Sequence, residues 1–441
     1  MLKVIKFGGS SMADAAHFEK IKNIVNSDPA RKIVVVSAAG KKNKEDHKVT
    51  DLLYLCYAHI KYGVDARPVF DQIEKKYLDI RNELGLKTNI EKDFEELWKK
   101  MQSGIEEDEL VSRGEYFAAR LMADYLGFDF LDAALWLRFR FYGSIDTDAS
   151  YAELLRLAGD RKLVIPGFYG SMPDGKIKTL TRGGSDVTGA LAAAALDADV
   201  YENWTDVSGI LMADPRIVDK PQPIPKATYG ELRELSYIGA QVLHEGAVFP
   251  VREKGIPLNI RNTNEPDNPG TMILESIDDS DIESSNFITG IAGRKGYTVI
   301  TVSKTGLSSQ GGVLRTLLEI LEAHNIYVEY VPNGIDTVSL VVSAEKLAPC
   351  QYSVLGEIQK ALKPDSIKVT EKIAIVAAVG RKMANRRGVS GKIFGTLGEN
   401  GVNIRMITQG PEELNIIVGI EEKDFEQAIK VLYHSFVKEE K

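Results

Sequence analysis

A glycine-rich turn followed by an alanine-rich run, at residues 179–196, contains the residue types best suited to binding an anion. Gly183 and Gly184 can adopt positive φ and let the backbone approach a ligand closely. Ser185 and Asp186 are typical N-cap residues, and the Ala/Leu run behind them favours a helix. The N-terminus of such a helix offers free N–H groups and the positive end of the helix dipole, so this stretch is a candidate anion site.

The charges of this turn make the prediction more specific. Arg182 adds a planar pair of donors that suits a carboxylate or a phosphate. Asp186 is unexpected beside an anion unless it helps to place a metal ion or another cation. The simpler alternative is a capped turn with an arginine that faces solvent.

The N-terminus offers a second turn of the same kind. Residues 2–7 predict a buried strand, Gly8 and Gly9 a tight turn, and residues 13–26 an amphipathic helix. Lys6 is a cation at the end of the buried strand. Alone it would be interpreted as a snorkelling lysine, but next to two glycines and a helix start it is a candidate phosphate ligand. The spacing of a Walker A loop is absent.

Two further stretches place polar groups where ligands bind in α/β proteins. Residues 32–36 predict a strand that ends in the small residues 37–40, and ligands of open α/β sheets bind at the carboxyl ends of strands. A charged loop follows, and Thr50 lies at the start of the next helix. Glu115 lies in the first turn of another predicted helix, where it either binds an amino group or complements the helix dipole.

Composition excludes several classes of protein. The 441 residues are 44% hydrophobic and 27% charged, with a net charge of −8, which disfavours a nucleic acid as the main partner. Cys56 and Cys350 are too few for a disulfide framework and lack metal-ligand spacing. We find no signal peptide and no apolar run long enough to span a membrane, and therefore expect a reducing, cytoplasmic location.

The length predicts two or three domains. Alternating strands and helices over residues 1–275 indicate an α/β domain with a mostly parallel sheet, and the acidic, serine-rich residues 276–286 are typical of a linker. Residues 287–441 contain an internal repeat with a constant offset of 76, in which Val313 corresponds to Val389. Each copy predicts an α+β unit of the β-α-β-β-α-β type, which favours a dimerisation module or a ligand-binding module.

The motifs together resemble those of one family. They are Lys6-Phe-Gly-Gly-Ser-Ser-Met12, Ser112-Arg-Gly-Glu115, Thr181-Arg-Gly-Gly-Ser-Asp186 and Thr205-Asp-Val-Ser-Gly209, followed by a repeat similar to paired ACT domains. This ordered set resembles aspartate kinase over essentially the whole chain, and the layout is similar to that of the single-function, lysine-sensitive type. The resemblance implies an amino-acid-kinase α/β sandwich with two ferredoxin-like ACT units.

The resemblance implies phosphoryl transfer from Mg-ATP to the side-chain carboxylate of L-aspartate, giving aspartyl phosphate, the first step towards lysine, threonine and methionine. Lys6 and Asp186 would be the catalytic pair, and no residue is assigned as a metal ligand. Substrate residues by similarity are Ser37, Thr50, Glu115, Arg182 and Ser185. ATP residues by similarity are Lys6, Gly8, Gly9, Ser10, Thr205, Asp206, Leu211, Arg216, Gln241 and Val242.

Three motifs depart from the family pattern. Ser10 stands where threonine is frequent, which should matter little. The family often has Thr-Asp-Val-Asp-Gly with a tyrosine nearby, where this chain has Ser208 and Leu211, so one nucleotide contact is expected to differ. Gln241 replaces a lysine expected to bind nucleotide, and we expect ATP affinity or orientation to differ there.

For the repeats, the resemblance implies an amino-acid effector bound between ACT units, at the interface of a homodimer or a dimer of dimers. The predicted effector is lysine, with threonine as the alternative. Glu329 supplies a carboxylate for an effector ammonium group. The predicted effector residues are Ser309, Gly312, Val313, Leu314, Val328 and Glu329.

Two other functions remain open from sequence. One is a related amino-acid kinase with another substrate, such as glutamate, acetylglutamate, carbamate or a nucleotide. The other is a catalytically weak amino-acid sensor, which Gln241 and Leu211 favour and the retained Lys6, Arg182 and Asp186 disfavour.

Overall fold

The computed structural model describes residues 1–181, 183–240, 248–277, 288–381, 383, 386–410 and 412–437. The chain divides into two compact units. The first comprises residues 1–210, 223–229 and 242–277, and the second comprises residues 211–222, 230–241 and 278–441. The domain boundaries predicted from sequence stay a prediction, and most of the predicted linker lies outside the described residues. In the described part, no helix is both long and apolar enough to cross a membrane.

The first unit is organised around an eight-stranded sheet. The strands of this part of the chain are β1 (Lys3–Phe7), β2 (Arg31–Val36), β3 (Asp129–Phe130), β4 (Leu163–Pro166), β5 (Tyr169–Ser171), β6 (Ile177–Thr179), β7 (Val200–Thr205), β8 (Ile210–Leu211), β9 (Pro223–Ile224), β10 (Lys226–Thr228), β11 (Leu258–Asn262) and β12 (Thr271–Leu274). The large sheet has the order β10-β12-β11-β7-β1-β2-β4-β3. Its strands pair in parallel except β11 with β12. The predicted mostly parallel sheet is confirmed.

Helices connect these strands, as parallel pairing requires. They are α1 (Ala15–Asn26), α2 (Val49–Lys61), α3 (Arg67–Glu83), α4 (Ile90–Ser103), α5 (Glu107–Val111), α6 (Arg113–Leu126), α7 (Thr147–Ala158), α8 (Gly184–Ala195), α9 (Tyr229–Ile238) and α10 (Phe249–Glu253). Side chains alternate across β1. Ile5 and Phe7 join a core cluster with apolar residues of α1–α4 and α6, whereas Lys6 contacts α8 through Asp186.

The second unit contains a six-stranded antiparallel sheet. Its strands are β13 (Gly290–Ser303), β14 (Val328–Tyr330), β15 (Thr337–Ser343), β16 (Ser366–Val379), β17 (Ile404–Gln409) and β18 (Asn415–Glu421), and its helices are α11 (Val313–Ala323), α12 (Ala344–Leu347), α13 (Gln351–Leu362), α14 (Val389–Glu399) and α15 (Phe425–Phe436). The order is β14-β15-β13-β16-β18-β17. Each sequence repeat supplies one half of this sheet, so the two predicted ferredoxin-like units are confirmed.

The two repeats share their long central strands. Residues 297–303 of β13 pair with β15 and with residues 366–370 of β16, within the first repeat. Residues 290–294 of β13 pair with residues 375–379 of β16, which also pair with β18 of the second repeat. The first repeat is therefore inserted between the strands of the second. The pairing makes one continuous sheet of the two small units.

One local feature differs from the sequence predictions. Helix α8 begins at Gly184 with Gly183 as its N-cap at φ 81°, so Ser185 and Asp186 lie in the first turn and do not cap it. The hairpin of β5 and β6 precedes this turn. After residues 263–270 the chain reverses, and β12 pairs antiparallel with β11.

Candidate active site

A cavity of about 1150 Å³ opens at the carboxyl ends of β1, β2 and β7, which are neighbours in the sheet. This is the edge at which parallel α/β sheets bind ligands. Eleven predicted site residues line it, namely Lys6, Gly8, Gly9, Ser10, Ser37, Thr50, Glu115, Ser185, Asp186, Thr205 and Asp206. The structure therefore brings together residues from the turns after three strands and from the first turns of α2, α6 and α8.

The turns after β1 and β2 lie against each other. The backbone N–H of Gly40 donates to the carbonyl oxygen of Gly9 over 2.8 Å. A Cβ atom at residue 40 would lie 2.4 Å from that same oxygen, and one at Gly9 would lie 3.1 Å from the carbonyl of Ala38. A side chain at residue 40 would clash with the backbone of the neighbouring turn, so this position requires glycine, and the space at Gly9 is tight. The approach leaves backbone groups of both turns at the floor of the cavity.

The first turn of α8 forms another wall. Gly183 takes the left-handed conformation that turns the chain into the helix. Ser185 is buried, and a Cβ atom at Gly167 would lie 2.7 Å from its Oγ atom. The unpaired N–H groups at this helix start and the positive end of its dipole favour a bound anion.

Lys6 and Asp186 form an ion pair in the cavity. Lys6 is only 7% exposed, so its ammonium group is held in a site largely removed from water. The amide of Asn203 donates a second hydrogen bond to the same Asp186 oxygen, Oδ1, over 2.9 Å. The pair thus presents one fixed cation beside two turns that favour anions.

Glu115 is a buried carboxyl group that faces the same cavity. Its Oε2 atom has no hydrogen-bond partner among the described residues. Burial raises the pKa of Glu115 from 4.5 to about 8, although a backbone hydrogen bond to Ala38 and the charge of Arg113 act in the opposite direction. A buried, unpartnered carboxyl oxygen suits a ligand ammonium group, which would supply both the missing hydrogen bond and the missing charge.

Three residues that support this site were missed by the sequence analysis. Asn203 is a polar residue in a buried strand, and that placement was the available signal. The buried Tyr77 donates to the carbonyl of Gly114 over 2.6 Å and accepts from the N–H of Ala39, which ties α6 to the turn after β2. Lys76 contacts the carbonyl of Gly40 over 2.5 Å and Asp46 over 2.7 Å. No sequence pattern marked these last two, because each lies on the polar or buried face of an ordinary helix.

The described structure leaves five predicted nucleotide and substrate residues untested. Arg182, Gln241 and Val242 lie outside the described residues. Leu211 and Arg216 are not part of the cavity lining. Arg216 forms an ion pair with Asp214 over 2.6 Å. The roles predicted for all five residues stay predictions.

The predicted effector residues lie in the second unit. Ser309 ends a short 3₁₀ turn, Gly312 is the N-cap of α11 at φ 82°, and Val313 and Leu314 begin that helix. Val328 and Glu329 lie on β14, and Val328 packs against the core cluster that contains Val313. The side chain of Glu329 accepts a hydrogen bond from Tyr237 over 2.6 Å.

Comparison with known proteins identifies the class of this chain. The model of the amino acid kinase family matches residues 1–262, and a model of the ACT domain matches residues 376–436. Aspartokinase 3 of Bacillus subtilis (strain 168) is 36% identical over 99% of this chain and 98% of its own length. The chain belongs to the amino acid kinase family.

Comparison with solved structures identifies the particular activity of this chain. The aspartate kinase of Clostridium acetobutylicum matches with a TM-score of 0.92 and 47% identity, over 99% of this chain and all of that one. Aspartokinase III of Escherichia coli, in complex with aspartate and ADP, matches with a TM-score of 0.77 and 27% identity over 99% of both chains. The same enzyme in complex with lysine and aspartate gives 0.76 and 28%, over 99% of this chain and all of that one. Our chain is an aspartate kinase with regulatory ACT domains.

The raised pKa of Glu115 predicts how the stability of the ligand-free protein depends on pH. The Glu115 carboxyl group is mostly protonated below about pH 4.5 in both the folded and the unfolded protein. Between about pH 4.5 and 8 it ionises more easily in the unfolded chain. Stability contributed by the neutral form is therefore lost as pH rises through that window, by about 1.4 kcal/mol per pKa unit. We expect Glu115→Gln to raise the melting temperature at pH 8 and to have little effect at pH 4.5. Thermal unfolding at the two pH values measures this. A variant less stable than the wild type at pH 8 would contradict it.

Proposed function

We propose that the cavity holds the triphosphate of Mg-ATP and the side-chain carboxylate of L-aspartate against each other, with Lys6 beside the transferring phosphate. The Lys6–Asp186 pair supports this proposal, because it lies in a cavity that the glycine turn after β1 and the first turn of α8 also line. Gly8, Gly9 and Ser10 bind the phosphates through the turn after β1. Thr205 and Asp206, at the end of the neighbouring strand β7, contact the nucleotide, with Leu211, Arg216, Gln241 and Val242 as further predicted contacts.

Aspartate is oriented by groups at its two ends. Glu115 takes the ammonium group, because its buried carboxyl has an unpartnered oxygen that faces the cavity. Ser185, at the start of α8, and Arg182 bind a carboxylate of the substrate. Ser37 and Thr50 complete the wall on the side of β2. This arrangement directs the other carboxylate of aspartate towards the phosphates.

The chemistry requires positioning and charge neutralisation more than proton transfer. An oxygen of the aspartate side chain attacks the γ-phosphorus, the bond to the β–γ bridging oxygen breaks, and ADP leaves with that electron pair. The nucleophile is already ionised at pH 7, so no general base is needed. Two anions must approach each other, and Lys6 with the N-terminus of α8 lowers the cost of that approach.

Mg²⁺ is proposed to arrive with the nucleotide, and it would neutralise charge on the phosphates. Proteins usually hold this ion with one or two carboxylates together with substrate phosphates. Asp186 and Asp206 line the cavity and fit that pattern. Within the described residues, no cluster of three His, Cys, Asp or Glu side chains forms a separate metal site.

Lysine is the proposed effector, bound at the start of α11 and at β14 of the first repeat. A difference in charge between the two repeats supports one binding site for a cationic ligand per chain. Seventy-six residues after Glu329, at the matching position of the second repeat, the chain has Arg405. A carboxylate favours an ammonium ligand and an arginine opposes it. Lysine is bound in a complex of the E. coli relative. Threonine is the weaker alternative as effector. Two further predictions stay untested, namely a homodimer or dimer of dimers through the ACT units and a cytoplasmic location.

The activity is tested by trapping aspartyl phosphate with hydroxylamine in the presence of Mg-ATP. We expect hydroxamate that depends on L-aspartate and exceeds that formed with glutamate. Lys6→Met keeps the length of the side chain and removes its charge, and should lower kcat at least about 100-fold. As a matched control, Lys3→Met changes the other lysine of β1 and should retain activity. Equal activity of wild type and Lys6→Met would overturn the proposed role of Lys6.

The effector site is tested by a pair of substitutions at equivalent positions of the repeats. Glu329→Gln should raise the lysine concentration for half-inhibition about 10-fold or more, because one charged hydrogen bond is lost. Arg405→Gln should leave it within about 2-fold of the wild type, since the second repeat is not expected to bind a cation. Both are read from hydroxamate assays over a lysine titration. An unchanged titration for Glu329→Gln would remove this residue from the site.

A further inference from the structure

Asn203 lies where it can affect how completely Asp186 neutralises the charge of Lys6. Strands β1 and β7 are parallel neighbours, and Lys6 pairs directly with Asn203 in their register. Their side chains therefore point to the same face of the sheet, towards the first turn of α8. There Lys6 and the amide of Asn203 both contact Oδ1 of Asp186.

The surroundings hold this arrangement rigidly. Asn203 is 2% exposed, so its amide is shielded from solvent. The backbone carbonyl of Asp186 accepts a hydrogen bond from the hydroxyl of Tyr201, two residues earlier on the same strand, over 3.1 Å. A Cβ atom at Gly189 of α8 would lie 2.5 Å from that hydroxyl, so helix and strand are in close contact. The position of the Asp186 carboxylate is thus fixed from β7.

We propose that Asn203 is a positioning residue for phosphoryl transfer, acting through Asp186. Its N–H group donates a hydrogen bond that offsets part of the negative charge of the Asp186 carboxylate and holds the carboxylate in one orientation. Lys6 is then neutralised less completely by Asp186 and keeps its charge directed at the transferring phosphate. Without Asn203, the carboxylate can turn towards Lys6 with both oxygens, and the ammonium group interacts less with the phosphate in the transition state.

The test is a double-mutant cycle between Asn203 and Asp186. Asn203→Leu removes the donor at similar side-chain size, and we expect kcat per folded molecule to fall about 10-fold with the KM for aspartate within about 2-fold. In an Asp186→Asn background, the same substitution should change kcat less than about 2-fold, because the group through which it acts is gone. Thermal unfolding of each variant gives the folded fraction.

A purely structural role would give another pattern. It would lower the melting temperature while kcat per folded molecule stayed at the wild-type value, or it would lower kcat by the same factor in both backgrounds. Either result overturns the proposal. Asn203→Asp provides a second variant of the same shape if leucine does not pack. It replaces the donor with a carboxylate beside Asp186, and we expect it to lose at least as much kcat as Asn203→Leu.

A second inference concerns Tyr237 and deepens the proposed effector site, on which it rests. Tyr237 lies near the end of α9 and donates to Oε2 of Glu329 on β14 over 2.6 Å. The same helix also contacts other residues of the second unit. Glu231 pairs with Arg381 over 2.6 Å, and Glu234 accepts a hydrogen bond from Asn415. Among the carboxylates at these contacts, Glu329 is the predicted effector ligand.

We infer that the hydroxyl of Tyr237 occupies the place on Glu329 that an effector ammonium group would take. A cationic effector has to displace this hydroxyl, so binding breaks the hydrogen bond that joins α9 to β14. Binding and regulation would be linked through this single hydrogen bond.

Tyr237→Phe tests this by removing only the competing hydroxyl. We expect the lysine concentration for half-inhibition to fall about 3- to 10-fold, which is the size of one hydrogen bond. Tyr327→Phe is the matched control, because Tyr327 precedes β14 with an 82% exposed ring, and it should stay within about 2-fold of the wild type.

The outcomes separate the two proposals about the effector. If lysine inhibits the wild type and Glu329→Gln weakens inhibition, but Tyr237→Phe leaves it unchanged or weakens it, the competition is overturned and the effector site stands. If lysine does not inhibit the wild type, the effector site is overturned together with the inference that rests on it.

Discussion

The active site depends on keeping one lysine charged and directed inside a largely buried edge of a parallel sheet. Lys6 can occupy that position because Asp186 pairs with it and because neighbouring turns offer backbone donors to anions. A buried charge without a partner would be strongly destabilising. The glycines of the turns after β1 and β2 serve the same end, because the close approach of Gly9 and Gly40 brings two strand ends to one cavity. Fold and chemistry are therefore set by the same contacts.

The regulatory unit shows how a duplicated sequence can give two different sites. The shared strands β13 and β16 join both repeats in one sheet. The repeats have diverged in charge at the matching positions 329 and 405. Together with the contacts of α9, this divergence gives the first repeat a carboxylate that is already engaged by the protein. A ligand for that carboxylate must then compete with an internal partner.

Much of this structure follows from local sequence patterns, and the remainder from contacts that no local pattern records. The strand, glycine turn and helix around Lys6 could be predicted because each element has its own signal, and so could the anion-binding turn before α8. The 76-residue offset predicted two similar units. The roles of Asn203, Tyr77 and Lys76 could not be predicted, because each depends on a partner more than 15 residues away in the chain. The insertion of one repeat into the other depends on strand register, which composition does not specify.

We propose that Lys6 lies between the two reacting anions while it remains paired with Asp186. A crystal structure of the full chain with L-aspartate, MgADP and aluminium fluoride, a mimic of the transferring phosphoryl group, would test this placement. We expect the fluoride ligands within hydrogen-bond distance of the Lys6 ammonium group, the aspartate ammonium group on Glu115, and Asp186 still bonded to Asn203. Nucleotide phosphates bound away from Gly8 and Gly9, with Lys6 contacting only Asp186, would contradict it.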